Sequence, residues 1–202
     1  MIKGLNEKKG GLSMEIVCVL GSPRKNGNSA TISKRFCEKA EKMGANTQYY
    51  YLNELDFKGC QGCMSCKTKT DYCVVEDELK GVLEAIAKAD ILVLASPVYF
   101  GTVTGQAKCF VDRTFSFAKP DYRTNPNPSR LPAGKKAVFI TTQGAPEGAF
   151  EEIHTNYKNY FKRYGFEESF HIRGCSVREL GDAEARDDLM ELADKTAEEI
   201  MK

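Results

Sequence analysis

The sequence predicts a doubly wound α/β domain, in which helices cover both faces of a parallel sheet. Short apolar runs rich in β-branched and aromatic residues alternate with stretches of helical periodicity along the chain. Runs such as ILVLA are apolar at every position, which is typical of strands buried on both faces of a parallel sheet. Strict alternation of strands and helices is the pattern of this fold class.

Five strands and five helices are expected. The predicted strands are 16–20, 48–52, 91–95, 137–142 and 169–177. Each helix carries one apolar stripe at helical spacing, which lets it cover the sheet. The stripes include Ile32 and Phe36, Leu79 to Ala87, Phe110 and Phe115, Ile153 to Phe161, and Leu189 to Ile200. For a chain of this size the natural form of the class is a flavodoxin-like five-stranded sheet, whose strand order is 2-1-3-4-5.

Length and composition fit one globular domain. The chain has 202 residues, 42% hydrophobic and 28% charged, and a formal net charge of +1. The charge gives no reason to expect nucleic acid or an anionic membrane surface as a partner. No apolar run approaches the roughly 20 residues that cross a bilayer, and the N-terminus lacks a secretory apolar region. We expect a cytoplasmic protein with a flexible extension at 1–13 and a single domain at 14–202.

The loops that leave the carboxyl ends of parallel strands share one edge of the sheet, where ligands bind in this class. The predicted loops at this edge are 21–28, 53–75, 96–104 and 143–149. The loop 53–75 is too long for a plain connection in a compact domain, and loops of that length are usually functional.

The first loop, GSPRKNGNSAT, has the groups that bind a terminal phosphate. Ser22 and Ser29 offer hydroxyls, Asn28 an amide and Arg24 a forked cation. The helix that begins near Ser29 adds free backbone N–H groups. A purely structural interpretation remains open, in which Pro23 and Gly27 shape a turn and Asn28 or Ser29 caps the helix.

The third and fourth strands end in segments suited to a planar ring. SPVYFGTVTGQAKCFVDR follows the third strand and brings Pro97, Val98, Tyr99, Phe100 and Gly101 to the sheet edge. Its aromatic side chains offer flat apolar faces, although they could instead pack under a neighbouring loop or at a subunit interface. After the fourth strand, Thr142, Gln143 and Gly144 could donate hydrogen bonds to the polar edge of the same ring.

Half of the eight cysteines lie in CQGCMSCKTKTDYC, residues 60–73. In a reducing cytosol such a cluster binds metal or does redox work more often than it forms disulfides. A tight C-x2-C-x2-C turn delivers three thiolates to one side of an iron–sulfur cubane, and the longer gap lets Cys73 reach the fourth iron. Structural zinc usually draws on two separated cysteine pairs, so zinc or free thiols are the less favoured alternatives.

Together these motifs resemble the NAD(P)H-dependent FMN reductase branch of the flavodoxin-like superfamily. With the cysteine motif after the second strand, the chain most resembles its iron–sulfur flavoprotein subfamily. The resemblance implies FMN and a 4Fe–4S cluster, with NAD(P)H or a small-molecule or ferredoxin-like donor supplying electrons to a homodimer or homotetramer. It implies phosphate contacts at Ser22, Arg24, Asn28 and Ser29, flavin contacts at Pro97, Tyr99, Phe100 and Gly101, and cluster ligands at Cys60, Cys63, Cys66 and Cys73.

Two other functions stay open on the sequence alone. One is a simple NAD(P)H-dependent FMN or quinone reductase whose cysteines bind zinc or nothing. The other is a flavin- or thiol-based redox sensor. We expect the remaining cysteines and both histidines, His154 and His171, to be structural, because all of them fall inside predicted strands or helices.

Overall fold

The computed structural model describes residues 13–202, and the fold class is the predicted one. A parallel sheet contains β1 (Glu15–Leu20), β2 (Asn46–Tyr51), β3 (Ile91–Tyr99), β5 (Lys136–Thr142) and β6 (Glu168–Gly174). The strand order is β2-β1-β3-β5-β6. A two-residue strand, β4 (Thr102–Val103), pairs antiparallel with the end of β3 and was not predicted. With β4 set aside, the five parallel strands follow the expected 2-1-3-4-5 order.

Helices cover both faces of the sheet. They are α1 (Asn28–Lys42), α2 (Ser65–Thr68), α3 (Leu79–Lys88), α4 (Gly105–Arg113), α5 (Glu152–Arg163) and α6 (Asp187–Ile200). One apolar core joins α1 and α6 to one face of the sheet, and the other joins α3, α4 and α5 to the opposite face. The four-residue α2 lies within the cysteine loop and was not predicted.

Two strand ends differ from the predicted ones by three or four residues, and the other boundaries by two at most. β3 continues from Ala95 to Tyr99, because Ser96 and Pro97 stay in register with Thr141 and Thr142 of β5. β6 ends at Gly174, so Cys175 follows the strand instead of lying inside it. The second difference lengthens the loop after β6, which then reaches the edge of the sheet where the other loops meet.

The predicted N-terminal extension lies almost entirely outside the described residues. Ser13 is described, and its hydroxyl donates to the carbonyl oxygen of Gly44 at 2.7 Å. No helix of the described chain combines the length and the apolar character needed to cross a membrane.

Candidate functional site

A cavity of about 220 Å³ opens at the carboxyl ends of β1, β3 and β5. It brings together residues from three of the four predicted loops, 53–75 being the exception, and from the segment after β6. The lining residues are Ser22, Arg24, Gly27, Asn28, Ser29, Pro97, Val98, Tyr99, Thr142, Gln143, Gly144, Val177 and Arg178. Every residue that the sequence singled out for phosphate or flavin therefore lines this cavity, except Phe100 and Gly101.

The loop between β1 and α1 is held in a compact turn. The N–H of Gly27 donates to the carbonyl oxygen of Arg24 at 3.0 Å, and the N–H of Arg24 donates to Oγ of Ser22 at 3.0 Å. The hydroxyl of Thr104, at the start of α4, donates to the carbonyl oxygen of Gly21 at 2.6 Å. These bonds fix the loop against the sheet and leave the hydroxyl hydrogen of Ser22 free to donate.

The N-terminus of α1 opens into the cavity without a side-chain cap. Gly27 occupies the capping position in an extended conformation, and no side chain accepts from the first turn. The first backbone N–H groups of a helix lack partners within the helix, and the helix dipole adds positive potential there. This end of α1 therefore presents donors to an anion such as a terminal phosphate.

Asn28 also has a structural role that the sequence did not reveal. Its Nδ2 donates to the carbonyl oxygen of Glu179 at 2.9 Å, and its Oδ1 accepts from the N–H of Ala183 at 3.1 Å. The side-chain amide thus ties α1 to the loop after β6. Asn28 can still offer its backbone N–H to the cavity, whereas its amide is largely engaged.

Arg178 is a cavity residue that the sequence interpretation missed. Its Nε donates to the carbonyl oxygen of Gly144 at 3.3 Å. Its backbone N–H and that of Glu179 both donate to Asp182 Oδ2, at 2.7 and 2.8 Å. Those two N–H donors lower the pKa of Asp182. The predicted fifth strand ran to 177, so the loop carrying Arg178 was not counted among the loops at the sheet edge.

Phe100 and Gly101 lie outside the cavity, in contrast to the expectation. They form the turn between β3 and β4, with φ values of 49° and 76°. Positive φ at both central residues is the backbone of a two-residue hairpin turn and is unfavourable for phenylalanine. The Phe100 side chain is fully exposed, at 108% of its reference area. Of the two adjacent aromatic residues, only Tyr99 contributes to the cavity wall.

Gln143 lines the cavity, but its side chain is used by the protein itself. Its Nε2 donates to the carbonyl oxygens of Pro146 and Ala149, at 2.9 and 3.0 Å. Gln143 therefore holds the loop after β5 in place. No hydrogen bond engages the N–H of the next residue, Gly144, among the described contacts. A Cβ at Gly144 would lie 2.7 Å from the Arg178 side chain, so a side chain there would displace Arg178 from its present position.

The four clustered cysteines line a second, smaller cavity of about 70 Å³. Cys60 and Cys63 are exposed, while Cys66 and Cys73 are half-buried, and none of the four is in a disulfide. The N–H and hydroxyl of Ser65 lower the pKa of the Cys63 thiol, which favours the thiolate that binds metals. Among residues 13–202, however, no three or more His, Cys, Asp or Glu side chains converge closely enough to hold a metal ion.

Two basic side chains, Arg113 and Lys67, approach the cysteines from the interior of the protein. The Nε of Arg113 donates to Sγ of Cys73 at 3.1 Å, and the Arg113 side chain is fully buried. Nζ of Lys67 lies 3.5 Å from Sγ of Cys66 and donates to the carbonyl oxygens of Phe115 and Ala118. Burial lowers the pKa of Lys67, and the Cys66 thiol opposes that shift. Positive charge directed at thiols stabilises their anionic form.

The two cavities lie at opposite ends of α4. The hydroxyl of Thr104, the residue before α4, donates to Gly21 at the start of the loop between β1 and α1. Arg113 is the last residue of α4 and donates to Cys73. Nine residues of helix rise about 13 Å. The two cavities share no lining residue. Within one chain the cysteines are therefore separated from the sheet-edge cavity by the length of this helix.

Another cavity, of about 650 Å³, adjoins the cysteines. It lies between α4 and α5, and Cys60 and Gly62 form one side of it. Tyr160 and Arg163 line the wall contributed by α5. The cavity gives Cys60 an open approach from outside the protein.

The edge of this doubly wound sheet presents the uncapped N-terminus of a helix and an apolar wall that includes Tyr99. This combination is typical of proteins that bind nucleotide cofactors. A family model described as NADPH-dependent FMN reductase matches residues 14–156. The chain belongs to this family, and it is therefore an oxidoreductase. The predicted family resemblance is confirmed.

The relatives also support the predicted subfamily. An iron–sulfur flavoprotein of Methanocaldococcus jannaschii is 29% identical over 141 residues, which are 70% of each chain. A second one from that organism is 32% identical over 142 residues, 70% of this chain and 69% of the relative. Alignments with two iron–sulfur flavoproteins of Archaeoglobus fulgidus cover only about half of those relatives, 47% and 53%.

Solved structures confirm the fold. An NAD(P)H:quinone oxidoreductase from Methanothermobacter marburgensis superposes with a TM-score of 0.73 at 16% identity, covering 94% of this chain and 98% of that one. An FMN-dependent NADH-azoreductase from Bacillus anthracis, solved in complex with FMN, gives 0.71 at 13% identity, covering 94% and 100%. At such low identity the likeness concerns the fold.

Proposed function

We propose that the protein is an electron-transfer oxidoreductase that binds FMN in the sheet-edge cavity and a 4Fe–4S cluster at its four clustered cysteines. Electrons enter from NAD(P)H or a reduced ferredoxin-like carrier and leave to an acceptor. The observation that carries the proposal is that Cys60, Cys63, Cys66 and Cys73 line one cavity against a buried arginine that donates to a thiol. The iron–sulfur flavoprotein relatives support it.

The sheet-edge cavity has the features that FMN requires. The uncapped N-terminus of α1, the hydroxyls of Ser22 and Ser29 and the cation of Arg24 suit a phosphate dianion. Pro97, Val98 and Tyr99 form an apolar wall for the ring, and the Gly144 N–H provides a donor at its edge. FMN, when bound, accepts an electron pair as hydride and can release electrons singly, so it joins two-electron donors to one-electron acceptors.

The cysteine cavity fits an iron–sulfur cluster in donor type and in charge. Four thiols from one short loop face the same cavity, and Arg113 and Lys67 supply positive charge on its inner side. A cluster held by four thiolates carries net negative charge, and nearby cations compensate for that charge. Binding must draw the thiols closer together than they are in this conformation. The exposed Cys60 and Cys63 leave the loop free to do so.

The two alternatives differ from the proposal in the expected metal content and in the expected turnover rate. A simple NAD(P)H-dependent FMN or quinone reductase would contain zinc or no metal at the cysteines, and a redox sensor would turn over slowly with NAD(P)H and an acceptor. A guanidinium N–H directed at one thiol stabilises that sulfur as a thiolate ligand more than as a free, neutral thiol. That bond argues against free thiols, while the compact cysteine spacing and the iron–sulfur flavoprotein relatives favour a cluster over zinc.

Anaerobic purification followed by an absorption spectrum and metal analysis tests the proposal. We expect a brown protein with about four irons per chain and matching sulfide, bleached by dithionite, together with bound FMN. A yellow protein that lacks sulfide even after anaerobic reconstitution would leave an ordinary flavin reductase. Zinc in place of iron would support the first alternative.

Two further properties belong to the same proposal. We expect a homodimer or homotetramer, in which the proline-bearing segment 119–132 contacts a neighbouring subunit, and size-exclusion chromatography with light scattering measures this. We also expect a reducing, cytoplasmic location without nucleic-acid or membrane partners. In support, all eight cysteines lie in the described part of the chain and none is in a disulfide.

A further inference from the structure

We propose that Arg113 is a positioning residue that holds Cys73 in place as a ligand and raises the reduction potential of the metal centre. The inference rests on the proposed cluster function and extends it to a residue that is not itself a ligand. Arg113 ends the segment SPVYFGTVTGQAKCFVDR, but nothing in that segment singled it out, because a basic residue at the end of a helix usually interacts with solvent or with the helix dipole.

All five N–H donors of the Arg113 guanidinium are used. Nε donates to Cys73 Sγ at 3.1 Å. One terminal nitrogen donates to Asp77 Oδ2 at 2.6 Å and to the carbonyl oxygen of Lys58 at 2.8 Å. The other donates to Asp77 Oδ1 at 3.1 Å and to the carbonyl oxygen of Val75 at 3.2 Å. A guanidinium has five N–H donors, so none is left over for another partner.

These bonds join the two ends of the cysteine loop. Lys58 precedes Cys60 by two residues, and Val75 follows Cys73 by two residues. Asp77 reinforces the closure, because its carboxylate also accepts from the backbone N–H of Lys58 at 3.2 Å. Arg113 therefore closes the loop at its base, whereas Cys60 and Cys63 in its outer part are exposed to solvent. Cys73 is the ligand fixed in place before metal binds.

The hydrogen bond from Arg113 to Cys73 would also change the reduction potential of a bound cluster. The ion pair with Asp77 balances the charge of Arg113, but Nε–H remains directed at the sulfur. A hydrogen bond to a ligand sulfur stabilises the reduced, more negative state more than the oxidised state, and it therefore raises the reduction potential. A lysine can supply the charge, but a single ammonium cannot reach the sulfur, Asp77 and both carbonyl oxygens in the same geometry.

The test compares Arg113→Lys with a matched control, Arg130→Lys. Arg130 is a partly buried arginine near the same loop that donates to the carbonyl oxygens of Ser116 and Ala118, with no hydrogen bond to a cysteine among the described residues. For wild type and both variants, iron and sulfide are counted and a mediated potentiometric titration is followed by absorption. Hydrogen exchange of residues 59–74 is measured separately in the metal-free, FMN-loaded proteins, which tests the positioning role without the cluster.

We expect Arg113→Lys to fold, to bind FMN and to load iron, but to be harder to reduce. A tenfold smaller equilibrium constant for one-electron reduction corresponds to a potential lowered by about 59 mV. In the metal-free protein, exchange in 59–74 should become about tenfold faster in Arg113→Lys, while exchange in β1 stays unchanged. Arg130→Lys should match wild type in both measurements.

Two results would overturn the inference. One is a potential of Arg113→Lys equal to that of Arg130→Lys in fully loaded proteins, and the other is unchanged exchange in 59–74. If Arg113→Lys fails to fold, the double variant Arg113→Gln/Asp77→Asn, which removes the ion pair as a whole, undergoes the same two measurements. If wild type itself takes up no iron and sulfide, the proposed function fails and the potential role fails with it, while the exchange result still decides the positioning role.

Discussion

A methyl group on Gly27 would lie 2.9 Å from Oγ of Ser22. It would also lie 3.2 Å from the Cβ and the carbonyl oxygen of Arg24. Glycine at this position lets the loop fold back on itself directly in front of the first turn of α1. The compact turn and the open helix end are therefore one structural unit, and disturbing the turn should disturb anion binding.

Gly27→Ala should weaken FMN binding by about ten- to hundredfold, or about 1.4–2.8 kcal/mol. The added Cβ forces Ser22 and the loop away from the end of α1. Titration of FMN fluorescence against the protein measures the change. Gly81→Ala is the control, because nothing lies within 4 Å of that position in α3. It should leave FMN affinity unchanged and add up to about 1 kcal/mol of helix stability. Equal FMN affinities in the two variants would contradict the expectation.

Arg24→Ala should weaken FMN binding by about 1.5–3 kcal/mol, the usual contribution of a charged hydrogen bond, and hardly alter riboflavin binding. The reason is that riboflavin lacks the phosphate. Competition titrations with both flavins measure the difference. Arg123→Ala, an exposed arginine that donates to the hydroxyl of Tyr122, is the control. Equal losses for FMN and riboflavin would remove Arg24 from the phosphate.

Arg178→Ala distinguishes between two roles for Arg178, contact with the phosphate of FMN and contact with its ring. If its guanidinium faces the phosphate, the variant should lose about tenfold in FMN affinity and keep riboflavin affinity. If it contacts the ring instead, both flavins should lose affinity together. We expect the first result, because Asn28 joins the Arg178 loop to the end of α1 that presents donors to the phosphate.

Phe100→Asn should raise the free energy of unfolding by about 1 kcal/mol, because asparagine tolerates the left-handed backbone at this turn better than phenylalanine does. Urea denaturation measures the change. Tyr72→Asn is the control, since Tyr72 is also exposed but has no positive φ. A loss of stability would mean that the exposed Phe100 ring makes a favourable contact.

Cys63→Ser should lose iron and keep FMN. Cys175→Ser, whose thiol lies outside the cysteine cavity, should keep both. Iron analysis and the flavin spectrum of anaerobically prepared protein measure the two cofactors separately. Unchanged iron content in Cys63→Ser would falsify the ligand assignment.

Protein stability should fall as the pH decreases from about 6.5 to 4 because of a half-buried histidine pair. Nδ1 of His154 and Nδ1 of His171 lie 2.9 Å apart, and burial lowers the pKa of His154 to about 4. Burial lowers the pKa of His171 as well. In this window the unfolded chain binds more protons than the folded one, so acid favours unfolding.

The expected loss is about 1–2 kcal/mol, less than 1.36 kcal/mol per pKa unit would give, because solvent screens a half-buried pair. Urea denaturation at a series of pH values measures it. His154→Gln should have a flatter pH dependence between pH 6.5 and 5 than wild type. Parallel curves would show that the pair does not titrate as described.

Much of the fold followed from the sequence because it depends on local patterns. The apolar run of β3 and the stripes of the long helices indicated a sheet buried on both faces, and parallel strands necessarily bring their loops to one edge. The turn at Phe100 escaped prediction, because phenylalanine is not a residue that indicates a left-handed turn. The four-residue α2 was missed because it is too short to show a helical period.

The predicted cavity residues were mostly found together, but their hydrogen-bond partners were not predictable. Asn28 bonds to Glu179 and Ala183 far along the chain, and Gln143 bonds to the loop that follows it. Nothing in the sequence distinguished Arg113 from the other arginines. Such contacts depend on tertiary packing, and no local pattern in one sequence encodes them.

The helix α4 fixes both the distance and the relative orientation of its two anchored loops. Each residue of an α-helix turns the chain by about 100°. Deleting a single residue between Thr104 and Arg113 would therefore swing the guanidinium about a quarter turn away from the cysteines, although composition and charge would hardly change. The length of this segment is consequently as strongly constrained as the identity of the residues at its two ends.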